Sequence, residues 1–334
     1  MANVLLTQKC VRSCPYCFAK EHMKGSVPDD IISWDNIIYL VDLHVKSRND
    51  RISLLGGEPS LHPFFPEIIK YMITRGLHVN VFTSGIVSTK MLYRLQTIIG
   101  LEDPQYLSFV VNCNHPSITP PKQQKLLDQF LTTFSQYCSL SYNIYQNDFD
   151  LDFLFRIINK FGLKRHIRVG LAQPIPLQKN ICLSQDEFPA FIERFMSFAD
   201  TMTDLDIKVG FDCGIPLCIF PDEYLGKLYK ITNNNLRFGC GPAIDIGPDM
   251  TVWSCFPLSK FHKKSVFDFK SMPEINEYYV SMHNRVRGEV GGIYEACDDC
   301  KFRRDKLCVG GCLANIISHF ESEEKIRFKE VYLS

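Results

Sequence analysis

Residues Lys9–Met23 read KCVRSCPYCFAKEHM and place Cys10, Cys14 and Cys17 in a C-x3-C-x2-C array. Three thiols this close ask for a metal, because thiolates ligate both structural zinc and iron–sulfur clusters. A structural zinc site normally takes four protein ligands, commonly through a second close pair. Apart from His22, five residues beyond Cys17, no cysteine or histidine lies nearby. A cubane held by three thiolates instead keeps one iron for another ligand. Spacing alone leaves zinc and iron–sulfur both open.

The array follows the apolar stretch NVLLT (Asn3–Thr7), which reads as a strand. The cysteines therefore occupy the loop at that strand's C-terminal end, where parallel α/β folds build their sites. Downstream, strand-like and helix-like segments alternate. Strands are expected at 51–55, 77–83, 106–111, 140–145 and 166–172, and helices at 34–46, 64–74, 89–99, 122–137, 151–161 and 184–199. These make six βα units, which predict a parallel sheet curling into a complete or partial barrel. After Asp204 glycine, proline and cysteine become frequent and helical periodicity fades. The expected organisation is therefore a barrel over residues 1–204 and a small cysteine-rich domain over 205–334, held by metal ligands more than by a large apolar core.

After the second expected strand comes LLGGEPSLHP, containing Gly56, Gly57, Glu58 and Pro59. Glycines let a backbone approach a ligand closely, and a carboxylate complements an ammonium. With this motif and the cysteine array, in which Tyr16 is the aromatic residue before Cys17, the chain resembles the radical S-adenosylmethionine (radical SAM) superfamily. The resemblance implies a partial (β/α)6 barrel in which Cys10, Cys14 and Cys17 hold a [4Fe–4S] cluster. The amino and carboxylate groups of S-adenosylmethionine chelate the open iron in that family, and reductive cleavage gives methionine and a 5′-deoxyadenosyl radical. It further implies that Tyr16, Gly56, Gly57, Glu58 and Pro59 bind the cofactor, with Glu58 on the methionine ammonium. Thr83 and Ser84 in FTSG, Asn112 and Asn114 after the fourth strand, and Ala172 in GLAQP are expected to contact its sugar, carboxylate or adenine. Read alone, Tyr16 and Phe18 are packing residues.

A second cysteine set lies between Cys213 and Cys312. Cys240 and Cys255 are separated by fourteen residues, and CDDCKFRRDKLCVGGC supplies Cys297, Cys300, Cys308 and Cys312. This resembles the SPASM extension of radical SAM enzymes, which holds auxiliary [4Fe–4S] clusters. The resemblance implies that Cys240, Cys255 and Cys312 share one cluster and Cys297, Cys300 and Cys308 another. Three departures stand out: Met250 replaces a glycine, seven residues instead of five separate Cys300 from Cys308, and no cysteine follows Cys312. Upstream, DCGIPLC offers Cys213 and Cys218, and the sequence does not assign either to a cluster. Local spacing is also compatible with zinc knuckles.

Lysine plus arginine equals aspartate plus glutamate, 37 each, so charge demands neither nucleic acid nor an anionic membrane as partner. No apolar run approaches the roughly 20 residues of a membrane span, and the N-terminus lacks signal-peptide character, so a cytoplasmic protein is expected. There, fourteen cysteines point to metal or catalysis, not disulfides. Cys113 and Cys182 fall near the barrel top as hydrogen-atom donors or buried thiols, and Cys138 has no role. With the resemblance, the expected function is hydrogen abstraction from a peptide or protein: crosslinking, thioether formation, epimerisation or side-chain oxidation. An electron donor such as flavodoxin or ferredoxin would serve it. Only nine residues precede Cys10, so no leader-binding domain is expected before the barrel. The alternatives are a radical enzyme acting on a sugar or nucleoside, and a non-enzymatic zinc protein that binds a partner.

Overall fold

A computed structural model describes residues 2–20, 30–100, 104–176, 178, 180–212 and 214–318. His22 and Cys213 lie outside the described residues. Seven strands follow one another as parallel neighbours: β1 (Ala2–Leu5), β2 (Arg51–Leu55), β3 (His78–Thr83), β4 (Leu107–Asn112), β5 (Cys138–Ile144), β6 (His166–Leu171) and β7 (Lys208–Asp212). Beyond β1, the sheet continues through β8 (Ile244–Ile246), β9 (Thr251–Ser254) and β10 (Lys264–Ser265). β8 pairs parallel to β1, whereas the β8–β9 and β9–β10 pairs are antiparallel. The sheet is open, with β7 and β10 at its edges, as in a partial barrel. One sheet thus crosses the position after Asp204: β7 lies beyond it and β8 returns to the opposite flank.

The helices are α1 (Trp34–Lys46), α2 (Phe65–Thr74), α3 (Thr89–Ile99), α4 (Pro121–Thr133), α5 (Asp152–Phe161), α6 (Phe188–Met196), α7 (Ala199–Asp204), α8 (Asp222–Ile231), α9 (Met272–Val290), α10 (Lys301–Arg304) and α11 (Leu313–Ser318). Their starts are set chemically: the Ser33 and Ser88 side chains accept from the backbone N–H groups of Asn36 and Met91 and so cap α1 and α3. The strands alternate as a half-buried sheet requires. In β4, Leu107, Phe109 and Val111 join the apolar core, while Ser108, Val110 and Asn112 face the other way. That second face is polar. Ser108 donates to Asn80 at 2.9 Å, Asn143 to Asn112 at 3.1 Å, and Arg168 pairs with Asp212 at 2.6 Å.

The β8–β9 turn accounts for one departure from the expected cysteine pattern. Met250, where a glycine is usual, has φ +66° and closes the turn by donating from its N–H to Gly247 O at 3.0 Å. A left-handed backbone costs a non-glycine residue about 1–2 kcal/mol. Losing a buried Met side chain costs about 2–5 kcal/mol, and Met250 is 1% exposed, so packing outweighs strain.

Two buried histidines make stability sensitive to acid. His44 on α1 and His283 on α9 are each held by burial to a pKa of about 4, well below the ordinary 6.5. Both stay neutral in the folded chain, whereas the unfolded chain takes up protons near pH 6.5. Their contribution is complete above that value and is lost as pH falls toward 4. Denaturant midpoints of the metal-free protein should fall between pH 6.5 and 4.5, each histidine adding a slope of up to about 1.4 kcal/mol per pH unit. Flat midpoints across that window would contradict neutral burial.

Candidate functional site

The loop carrying Cys10, Cys14 and Cys17 leaves β1 and is fastened on two sides. On the β2 side, Gly57 N–H donates to Thr7 O at 2.9 Å and Glu58 N–H to Lys9 O at 2.7 Å. A Cβ on Gly57 would lie 2.1 Å from Lys9 O, and one on Gly56 2.3 Å from Thr7 O. The glycines are thus required for close approach to the cysteine loop's own backbone. On the β4 side, Arg12 Nη1 donates to Asn112 O at 2.6 Å and Gln123 Nε2 to Val11 O at 3.3 Å.

Tyr16 anchors the middle of the loop. Its hydroxyl donates to Asn114 Oδ1 at 3.0 Å and accepts from Asn112 Nδ2 at 3.1 Å, and its ring stacks on Tyr145 at 5.1 Å. Burial, then the Cys14 thiol, pushes this phenol well above its ordinary range, so it remains a donor. Asn114 Nδ2 in turn approaches Cys14 Sγ at 3.8 Å.

Glu58 is fully buried and saturated with donors. Oε1 accepts from Ser60 N (3.2 Å), Ser60 Oγ (2.8 Å) and Thr83 Oγ1 (2.7 Å); Oε2 accepts from Ser84 N (2.8 Å) and Ser84 Oγ (2.5 Å). Glu58, Thr83 and Ser84 therefore lock the β2 and β3 ends together. A ligand ammonium at Glu58 would share the carboxylate with these donors. Pro59 opens the short helical turn that follows, and Ala172 is buried with its N–H on Ile144 O at 2.8 Å.

The donor chemistry of the loop fits an iron–sulfur cluster. Burial raises the Cys10 thiol and pushes Cys17 up to about 11, with Cys14 and Cys10 among the charges that raise Cys17, so a bound cation is needed to strip these protons. Among the described residues no three Cys, His, Asp or Glu side chains gather tightly enough for a single ion. A cubane takes each thiolate at a separate iron and requires no such convergence.

The later cysteines assemble into two groups. Cys312 hydrogen-bonds Cys240 and, with Arg287, lowers it to about 6 despite burial; Cys255 is raised by burial first and by Cys240 next. Cys240, Cys255 and Cys312 are thus neighbours. Burial raises Cys218 to about 11, with Cys308, Cys297 and Cys300 as its next influences, which defines the second group. Arg287 on α9 ties the turns together, donating to Val309 O (2.9 Å), Gly311 O (3.1 Å) and Cys240 O (3.3 Å). Contact with the first loop is direct: Leu5, Ala19, Trp253 and Phe256 form a separate apolar cluster against Cys17, and Phe18 meets Phe256 at 5.1 Å between ring centres.

Of the two readings of Cys113, hydrogen-atom donor or buried thiol, its place in the fold agrees with the second. Cys113 is fully buried in the apolar core, the next residue after Asn112 along β4 and on the opposite face, with burial pushing its thiol up to about 12. Cys182 is partly exposed, and burial raises its thiol. Cys138 is buried at the start of β5. Sequence reasoning missed Arg12, Asn143, Tyr145 and Arg287. Asn143 had a signal, since it lies at a strand end as Asn112 does. Arg12 Nε and Nη2 are buried without a partner among the described residues and are free to meet an anionic group.

Residues 4–103 match the family profile described as the Radical SAM superfamily. The match covers the N-terminal part of the chain, which carries the cysteine loop and Glu58. It is 34% identical to mouse molybdenum cofactor biosynthesis protein 1 over 96 residues, covering 28% of this chain and 15% of that protein. It is 35% identical to the S-adenosylmethionine-dependent nucleotide dehydratase of Selenomonas ruminantium over 83 residues, covering 25% of this chain and 29% of the relative. The matches thus span well under half of these relatives. Over the whole fold the chain is similar to the crystal structure of Streptococcus suis SuiB (TM-score 0.64, 14% identity, 97% of this chain and 75% of SuiB). It is equally similar to native anSMEcpe with bound AdoMet (TM-score 0.64, 14% identity, 94% of this chain and 90% of the other). Among the described residues no helix is long and apolar enough to cross a membrane.

Proposed function

We propose that this protein is a cytoplasmic radical SAM enzyme that modifies a peptide or protein, with a catalytic barrel (residues 1–204) and a SPASM-like auxiliary-cluster segment (residues 205–334). The observation that carries this reading is the contact between the two cysteine regions: Phe18, next to Cys17, packs on Phe256, next to Cys255. The likeness to SuiB, solved bound to precursor peptide SuiA, and to anSMEcpe runs through both regions and supports a peptide substrate. The curated relatives named for small molecules match little more than a quarter of this chain, and their names keep modification of a sugar or nucleoside as the second reading.

When bound at Cys10, Cys14 and Cys17, a [4Fe–4S] cluster with S-adenosylmethionine supplies reductive cleavage and a 5′-deoxyadenosyl radical. The chain's residues prepare that site. Glu58 holds the β2 and β3 ends and offers its carboxylate to the methionine ammonium. Tyr16, Asn112, Asn114 and Asn143 fix the loop over the strand ends, and Arg12 presents a guanidinium to a carboxylate. Electrons would come from a donor such as flavodoxin or ferredoxin. The test is anaerobic turnover with candidate peptides deuterated at their side chains. Deuterium should appear in 5′-deoxyadenosine; transfer only from a labelled sugar or nucleoside would overturn the peptide reading.

A further inference from the structure

We propose that Cys218 is the fourth ligand of the auxiliary cluster held by Cys297, Cys300 and Cys308. The inference rests on the auxiliary-cluster reading above. Cys218 stands on the segment that follows β7, about eighty residues before Cys297.

The fold brings one in from the segment after β7. Upstream of Cys218 the chain lies directly on the CVGGC turn. A Cβ on Gly214 would sit 2.6 Å from Cys312 N, and one on Gly311 would meet Pro216 Cγ at 3.6 Å. Downstream, Phe220 packs on Phe238 at 5.7 Å between ring centres. Phe238 pairs with Cys308 in a parallel bridge and donates its N–H to Leu307 O at 2.7 Å. Ile215, Leu217 and Phe220 are buried at 1–2% exposure, while Cys218, between the last two in a short helical turn, is exposed. The segment is thus pinned upstream to the Gly311–Cys312 end of the CVGGC turn and downstream, through Phe238, to Cys308 at the turn's other end, and Cys218 is presented between the pins. Its electrostatic neighbours are Cys308, Cys297 and Cys300. On ligation each of the four thiols gives its proton to solvent and forms one sulfur–iron bond, the ordinary complement of a fully ligated cubane.

The test is differential alkylation. Metal-free and anaerobically reconstituted protein are treated with iodoacetamide, and labelling of each cysteine is read by peptide mass spectrometry. The proposal expects Cys218 to lose its labelling on reconstitution together with Cys297, Cys300 and Cys308. Protection of those three while Cys218 still labels would overturn it. If none of the four is protected, the auxiliary-cluster reading itself fails and the proposal with it. A second measurement uses Cys218→Ala in a Cys10→Ala/Cys14→Ala/Cys17→Ala background, where only auxiliary clusters remain. Mild oxidation should convert one additional cluster per chain to the [3Fe–4S] form, seen by electron paramagnetic resonance, relative to the same background with Cys218. An unchanged [3Fe–4S] yield with iron content retained would contradict the assignment.

Discussion

Arg287→Met is expected to unfold the cysteine-rich segment and to empty it of iron. Three backbone carbonyls, on Val309, Gly311 and Cys240, accept from this one guanidinium. Hydrogen bonds to a charged group are worth about 1.5–3 kcal/mol each, and unpartnered buried acceptors add a penalty. Losing them together should cost about 3–5 kcal/mol, among the larger effects of a single substitution. Those carbonyls fix the turn that carries Cys308 and Cys312 against Cys240, so both cysteine groups lose their geometry. Iron per chain after reconstitution should fall to the amount bound by Cys10, Cys14 and Cys17 alone. Arg287→Lys should not rescue it, because an ammonium lacks the planar fork that reaches several carbonyls at once. A variant with full iron content and an unchanged melting temperature would show that Arg287 is not the clasp.

Asp245→Asn is expected to stabilise the protein at alkaline pH. Asp245 lies on β8 opposite Asn3, the middle of the three residue pairs that join β8 to β1, and accepts from Asn3 Nδ2 at 2.7 Å. Burial raises its pKa to about 7 from the ordinary 3.8. The unfolded chain ionises this carboxyl above about pH 4, while the folded chain resists until about 7. The carboxyl therefore leaves stability intact below pH 4 and erodes it as pH rises toward 7. Asparagine has the same shape, keeps an oxygen acceptor for Asn3 and carries no charge to desolvate. At pH 8 the gain should be about 2–4 kcal/mol, and it should vanish below pH 4. Denaturant midpoints at the two pH values decide this; equal midpoints for both proteins at pH 8 would rule out a strained carboxyl at the seam.

Much of the barrel was legible because each segment follows its local rule. The stretches 34–46 and 89–99 carry helical periodicity behind a serine cap, and both ends fell where the sequence placed them. The strand at 51–55 did likewise. β7 was missed because KVGFD is short and contains a glycine, and β8 because IDI puts a buried aspartate in its middle. Their place in the sheet depends on pairing with β6 and β1, which no local pattern encodes. Of the two readings of Cys113, donor or buried thiol, the second could have been chosen from the sequence. Strand alternation puts it on the opposite face from Asn112, so both cannot face one site. Arg287 sits in an ordinary polar helical stretch, and its partners are backbone carbonyls, which leave no sequence trace. Cys218 shares that difficulty, since its neighbours lie about eighty residues further along the chain.

The central claim is that Cys10, Cys14 and Cys17 hold a cluster whose open iron takes S-adenosylmethionine, and the direct test is formation of 5′-deoxyadenosine. Reconstituted protein incubated anaerobically with S-adenosylmethionine and dithionite should release 5′-deoxyadenosine and methionine. The Cys10→Ala/Cys14→Ala/Cys17→Ala variant, keeping its auxiliary iron, should release neither above background. Equal, background-level release from both proteins, with the wild type fully loaded with iron, would contradict the account.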